Sequence, residues 1–269
     1  MDKPALVASD VDGTLLAPQE ELTPRTLAAI SRILADGTPF VLVSGRPPRW
    51  IPPVADQAGL HGYAVCANGA IIYDISTRHV LSAHTLDPIV LHDVARVLDK
   101  ALPGMFLATE RAFTGPALGL EAYRMEPGFS NPWGDQENNF HPRAEVLGHP
   151  ATKLLVRHQG MTSAEMASAA GELLGDAVDI TYSTNRGLIE ISARGVTKAT
   201  GLAEVALAVG ATQESTIAFG DMPNDIEMLR WAGHGVAMAN ANDEVKAAAD
   251  EITAPNSEDG VALVLERWF

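Results

Sequence analysis

Acidic side chains follow short apolar runs at two places in this 269-residue chain, and hard oxygen ligation and carboxylate nucleophilicity are the chemistry they offer. The first place is Asp10-Val11-Asp12-Gly13-Thr14, directly after Leu6-Val7-Ala8-Ser9. Residues two apart on an extended segment share a face. Asp10 and Asp12 would therefore repel unless a cation or a proton sat between them. Gly13 permits a sharp departure from the strand and can turn backbone N–H groups toward an anion. Asp-Gly is also a common turn pair, so a solvated turn would look the same. The second place is Gly220-Asp221-Met222-Pro223-Asn224-Asp225, after Thr216-Ile217-Ala218-Phe219. Between them, Ser44-Gly45-Arg46 follows Phe40-Val41-Leu42-Val43. There the Ser44 hydroxyl, with the Gly45 N–H nearby, could donate to a phosphate oxygen, or Ser44 could cap a helix. Lys198 lies near the start of a predicted helix, an end whose dipole favours acids. Its ammonium is accounted for if it turns into the acidic site; otherwise it is a surface lysine.

The elements that carry these groups can be read from the apolar pattern. Leu6–Ser9 reads as a buried strand. Thr23 and Pro24 supply an N-cap and first helical residue for a helix through Leu27, Ile30, Ile33 and Leu34, ended by Gly37. Phe40–Val43 is a second strand, and strand, helix, strand in this order indicates a parallel βαβ unit. A third strand, Tyr63 to Ala67, ends at Asn68-Gly69, with Ile71-Ile72-Tyr73 as hairpin partner. The parallel pattern resumes after Leu188-Ile189-Glu190-Ile191: a helix over Lys198 to Val209, the strand at Thr216, a helix over Ile226 to Ala232, a strand at Gly235 to Met238 and a helix over Glu244 to Ala249. In such sheets ligands bind at the carboxyl ends of strands. Asp10, Asp12, Asp221 and Asp225 should therefore converge on one edge. Carboxylates without His or Cys suit Mg²⁺. The eight histidines are scattered, which discounts zinc.

From about Ser82 to Asp87 the strand-helix rhythm breaks. A helix is expected over Pro88 to Ala101, then a Gly/Pro-rich segment from Gly115 to Pro150 containing Phe129, Trp133 and His141. The stretch Gly128 to Asn139 reads as a mobile or irregular loop. A strand at Lys153 to Val156, a helix over Ala164 to Leu174 and a strand at Val178 to Tyr182 complete a separate inserted α/β module.

The net charge of -15 disfavours nucleic acid and anionic membrane surfaces as partners. No apolar stretch approaches the ~18 residues of a membrane helix. Asp2 and Lys3 do not open a signal peptide. The single cysteine, Cys66, sits in an apolar run and reads as a core residue; with no disulfide within the chain, a reducing compartment and a cytoplasmic location are expected.

Taken in order, Asp10–Thr14, Ser44–Arg46, Lys198 and Gly220–Asp225 resemble the four motifs of haloacid-dehalogenase (HAD) superfamily phosphatases, in particular the Cof-type branch. Asn68-Gly69-Ala70 and Glu190-Ile191 also look alike. The resemblance implies a doubly wound (Rossmann-like) parallel-sheet core, residues 1–83 with 187–269. It also implies a mobile α+β cap, residues 84–186, that chooses the substrate. It implies that Asp10 is a nucleophile forming an aspartyl-phosphate, and that Asp12 protonates the leaving oxygen and then deprotonates water. Ser44, Lys198 and Asn224 would hold phosphoryl oxygens, with Gly13, Gly45, Arg46 and Asn68 at the substrate. Mg²⁺ would be held by Asp10, the main-chain carbonyl of Asp12 and Asp221, with Asp225 in support. Together with Lys198 it would offset the repulsion between phosphate and carboxylate.

This sequence has Met222-Pro223 where a glycine and a variable residue are frequent, and Ala199 where glycine is common. The expected activity is Mg²⁺-dependent hydrolysis of a small phosphorylated metabolite, a sugar phosphate first. A phosphotransferase or phosphomutase is the alternative. So is a non-catalytic sensor, against which the presence of both Asp10 and Asp12 argues. Glu121, Arg124, Trp133, His141 and Arg186 are candidate selecting residues in the cap, each equally a surface or packing residue.

Overall fold

Leu6–Ser9, buried along its whole length, forms β1, and the rest of the first sheet is laid out around it. β2 (Phe40–Val43) pairs with it on one side and β12 (Thr216–Gly220) on the other, both parallel. Beyond β12 come β13 (His234–Met238) and β14 (Glu251–Thr253), also parallel. Beyond β2 come parallel β3 (Tyr63–Cys66) and antiparallel β4 (Ile71–Asp74). Chain order thus runs outward in both directions from β1, the switch point at which doubly wound sheets open a crevice. The near-continuous apolar runs of these strands suit a sheet covered on both faces.

Helix α1 (Pro24–Ala35) starts as expected, with the Thr23 hydroxyl accepting from the Thr26 N–H. Helix α2 (Pro52–Ala58) opens on two prolines, placed where a helix has N–H groups without partners. Helix α6 (Lys198–Val209) packs Leu202, Val205 and Ala206 on Leu6, Ala8, Val41 and Ala218. Helices α7 (Ile226–Trp231) and α8 (Asp243–Ala248) extend that layer, while α9 (Gly260–Leu265) packs against α1.

The computed structural model describes residues 2–117, 119–131 and 138–269. Its chain divides into two units, Met1–His79 with Thr197–Phe269, and Val80–Val196. In the second unit, β9 (Lys153–Arg157) is central to an antiparallel sheet ordered β10 (Val178–Thr181), β11 (Leu188–Ala193), β9, β6 (Phe106–Glu110), β8 (Tyr123–Met125). Helices α3 (Pro88–Ala101) and α5 (Ser163–Leu174), with the short α4 (Arg143–Val146), cover the face carrying Leu107, Leu154, Val156, Ile189 and Ile191. The short β5 (His79–Ala83) and β7 (Gly115–Pro116) complete the strands described. No helix of the described residues is long and apolar enough to cross a membrane.

The α/β class and doubly wound sheet match the sequence reading, but the expected boundaries 83/84 and 186/187 shift to 79/80 and 196/197. Leu188–Ala193 does not resume the parallel core; as β11 it pairs antiparallel with both β9 and β10. An apolar run announces a buried strand without saying which sheet it joins. Within the Gly/Pro-rich segment, β8 and α4 form and Phe129 is buried. Trp133 and residues 132–137 of the expected loop lie outside the described residues.

Leu91, fully buried in the second unit, tests that core. Leu91→Ala should cost about 2–5 kcal/mol in a urea unfolding series, with little change in the fold.

Candidate active site

Asp10 leaves β1 still extended, its N–H donating to the Phe219 carbonyl at 3.0 Å. The chain then turns through Gly13 at φ 82°, where a Cβ would stand 2.4 Å from Asp221 Oδ2. Glycine is therefore required both by the backbone and by the close approach of the carboxylate. Lys198, the first residue of α6, is buried and donates to Asp10 Oδ1 and to Asp225 Oδ1, each at 2.6 Å. Asp225 is also fully buried, and its Oδ2 accepts from the Asp221 and Met222 N–H groups at 3.0 and 2.9 Å. Both Asp225 oxygens are thus engaged by the protein. Asp10 Oδ2 receives no hydrogen bond from the described residues.

Two hydroxyl or amide donors not singled out in the sequence complete the cluster. Thr14 Oγ1 donates to Asp221 Oδ1 at 2.8 Å. Asn240, just past β13, donates Nδ2 to the Gly13 carbonyl at 2.9 Å and to Asp221 Oδ2 at 3.4 Å. The Asn256 N–H donates to Asn240 Oδ1 at 3.0 Å, which fixes the orientation of that amide. Its place beyond the carboxyl end of a strand is the signal that could have identified Asn240.

Burial raises the Asp10 carboxyl well above its ordinary value. Lys198 opposes this, and Asp225, Asp221 and Asp12 add to it. Burial, and next Asp225, push Asp221 up to about 7. Burial alone would lower Lys198, but Asp10 and Asp225 outweigh it and raise the ammonium, which stays charged. Asp10, Asp221 and Asp225 bring carboxylate oxygens within 4.8 Å of one another. One ammonium against three buried carboxylates leaves an excess of negative charge. An all-oxygen donor set of this kind fits a hard divalent cation such as Mg²⁺.

The other expected site residues fall in two groups. The Asp12 carboxylate lies outside that cluster, about half exposed. Arg46 grips it as a fork, Nε to Oδ2 at 2.8 Å and Nη2 to Oδ1 at 2.6 Å. Burial lowers the Arg46 guanidinium, but the bond to Asp12 together with the charges of Asp12, Glu20 and Asp10 outweighs it and raises it overall. Ser44 is buried and caps no helix; its Oγ accepts from the Arg46 N–H at 3.1 Å, leaving the O–H to donate. Gly45 lies beside Asn68, which accepts from Asn224 Nδ2 at 3.1 Å.

In the second unit, Arg124 and His141 both engage Glu145. Glu121 accepts from the Gly119 N–H, and the carbonyl of exposed Arg186 accepts from Arg157.

Residues 7–265 match the haloacid dehalogenase-like hydrolase family, and the chain belongs to it, in the Cof-type branch that its motifs resemble. The chain is 30% identical to the 5-amino-6-(5-phospho-D-ribitylamino)uracil phosphatase of Bacillus subtilis, over 99% of this chain and 98% of that one. It is 28% identical to the pyridoxal phosphate phosphatase of Escherichia coli, over 96% of each. A crystal structure of a haloacid dehalogenase-like hydrolase from Bacteroides thetaiotaomicron superposes with a TM-score of 0.76 at 28% identity, over 98% of this chain and 99% of that one. The protein is a phosphoric monoester hydrolase.

The raised Asp221 carboxyl carries a consequence for stability. Unfolded, it loses its proton near pH 4; folded and metal-free, it holds it to about 7. In that window the folded state binds more protons, so stability falls as pH rises. The metal-free melting temperature should drop between about pH 5 and about pH 8 and recover on adding Mg²⁺ at the upper end. Asp221→Asn should weaken both responses, leaving the part that Asp10 contributes. A wild-type melting temperature indifferent to pH and to Mg²⁺ in this window would contradict the assignment.

Proposed function

We propose that this enzyme is a Mg²⁺-dependent phosphatase that hydrolyses a small phosphorylated metabolite, a sugar phosphate or close analogue, through an aspartyl-phosphate on Asp10. The observation that carries this reading is the asymmetry of the Asp10 carboxylate: Oδ1 is held by Lys198 at 2.6 Å, and Oδ2 is without a hydrogen bond from the described residues. An ionised oxygen, fixed in direction by its twin, is what attack on phosphorus requires.

The carboxylates of Asp10 and Asp221, the main-chain carbonyl of Asp12 and, in support, Asp225 would hold Mg²⁺. When bound, the ion supplies positive charge that offsets the repulsion between the phosphate dianion and these acids. Asp10 Oδ2 attacks phosphorus while Lys198 favours the ionised carboxylate and keeps it aligned. Asp12 gives its proton to the departing ester oxygen. It then takes one from the water that attacks the aspartyl-phosphate, returning Asp10 and releasing phosphate. The Ser44 O–H and the Asn224 amide hold phosphoryl oxygens. The fork of Arg46 suits a phosphate as well as it suits Asp12, so an incoming substrate competes for it, and Asp12, released from the guanidinium and open to water, takes up the proton that it gives to the departing ester oxygen.

The Bacillus subtilis and Escherichia coli relatives are named for small phosphorylated molecules, one of them bearing a phosphorylated ribityl chain. We extend to this chain that class of substrate, not either compound. The second unit is assigned the role of a cap that selects among substrates, and the acidic composition and single cysteine support a cytoplasmic enzyme.

Phosphate release from a panel of phosphorylated metabolites, with and without Mg²⁺, tests the reading. Asp10→Asn should abolish release with the melting temperature retained, and Asp12→Ala should lose about 10²- to 10⁴-fold in kcat. Hydrolysis at near the wild-type rate by Asp10→Asn would exclude the proposed nucleophile. Release without any added acceptor separates a hydrolase from a phosphotransferase.

A further inference from the structure

The turn after β3 contributes no group to the chemistry just described, yet it holds three consecutive residues in left-handed conformations: Ala67 at φ 52°, Asn68 at φ 57° and Gly69 at φ 102°. Such a run, alanine included, persists only where its surroundings fix it. The surroundings here are the segments that carry the phosphate-facing groups. The Ala67 N–H donates to the Arg46 carbonyl and the Asn68 N–H to the Ser44 carbonyl, both at 3.0 Å. A Cβ on Gly45 would come within 3.0 Å of Asn68 Oδ1. A Cβ on Gly69 would lie 1.9 Å from the carbonyl oxygen of Thr197, the N-cap of the helix that begins with Lys198.

The Asn68 side chain reaches a third segment, the loop that carries Asn224. It is buried, 3% exposed, and Oδ1 accepts from Asn224 Nδ2 at 3.1 Å. Asn224 Oδ1 is itself buried and has no hydrogen-bond partner among the described residues. The orientation of the Asn224 carboxamide therefore depends on Asn68.

We infer that Asn68 is a positioning residue: it orients the Asn224 amide toward the phosphoryl group rather than binding substrate itself. This rests on the reading in which Asn224 holds a phosphoryl oxygen, and it replaces the expectation that Asn68 meets the substrate directly. The turn around it serves as a common abutment for the Ser44 strand end, the Lys198 helix and the Asn224 loop.

A double-mutant cycle tests the inference. Asn68→Gly removes the side chain, and glycine accepts a positive φ without strain, so the melting temperature should stay near wild type. Asn68→Gly and Asn224→Ala should each lower kcat/KM for p-nitrophenyl phosphate by about 10- to 100-fold, and weaken vanadate binding in parallel. The double variant should be no worse than Asn224→Ala alone, because the two residues act in series. Asn68→Asp, which keeps an acceptor for Nδ2 and tolerates the left-handed backbone, should retain kcat, its added charge appearing in KM. Asn68→Ala removes the same acceptor and provides the same cycle if the glycine variant proves unstable.

Losses that multiply in the double variant, or wild-type kinetics in Asn68→Gly, would overturn the inference. Wild-type kinetics in Asn224→Ala would remove Asn224 from the site and the inference with it. Absence of turnover in the wild type would count against the proposed function instead, and the vanadate affinities would still report on the coupling.

Discussion

A single buried ammonium among buried carboxylates is the constraint on which the first unit depends. Lys198 bridges Asp10 and Asp225 and lies close to Asp221 in a pocket with almost no access to water. Removing one partner from such an arrangement leaves an uncompensated charge in a medium that solvates it poorly, so the members stand or fall together. Their placement also runs against local preference. An ammonium at the start of α6 faces the positive end of the helix dipole, and the acids of β1 and β12 must approach closely enough that Gly13 has no room for a Cβ. The sheet and its helices hold this arrangement in place, and the charge left over is what a divalent cation would neutralise.

The two acids of the first motif are separated by environment more than by sequence. Asp10 is buried and tied to Lys198, while Asp12, two residues on, is exposed and held by Arg46. Carboxylates placed in such different surroundings can take different parts in one reaction. The turn through Gly13 produces the separation, and Asn240 anchors that turn by its carbonyl. Asn240 in turn takes its orientation from Asn256, which also donates to the Leu16 carbonyl, so the far end of the chain secures the turn that follows Asp10.

Much of this was legible before any coordinates. Thr23 and Pro24 mark the start of α1, and the bounds of α3 and α6 coincide with the expected ones, because caps and helical periodicity are local properties. The convergence of Asp10, Asp221 and Asp225 follows from the rule that strand ends share an edge, whereas the Asp12 carboxylate, expected to join them, lies outside the cluster. What escaped is non-local. Asn240 matters only because it meets Gly13, 227 residues away in sequence. Leu188–Ala193 has the composition of a core strand and joins the other sheet, since its partners are chosen by topology. Ser44, read alternatively as a helix cap, instead serves the turn that follows it, because α2 begins only at Pro52.

The central claim, that Lys198 presents Asp10 as the attacking group, can be tested by capturing the intermediate. The enzyme would be mixed with p-nitrophenyl phosphate and Mg²⁺, quenched in acid during turnover, digested and analysed by mass spectrometry. The account predicts one hydroxylamine-labile phosphoryl group, on the peptide containing Asp10, and its loss in Lys198→Ala. Turnover with that peptide unmodified, or with the phosphoryl group on a different residue, would contradict it.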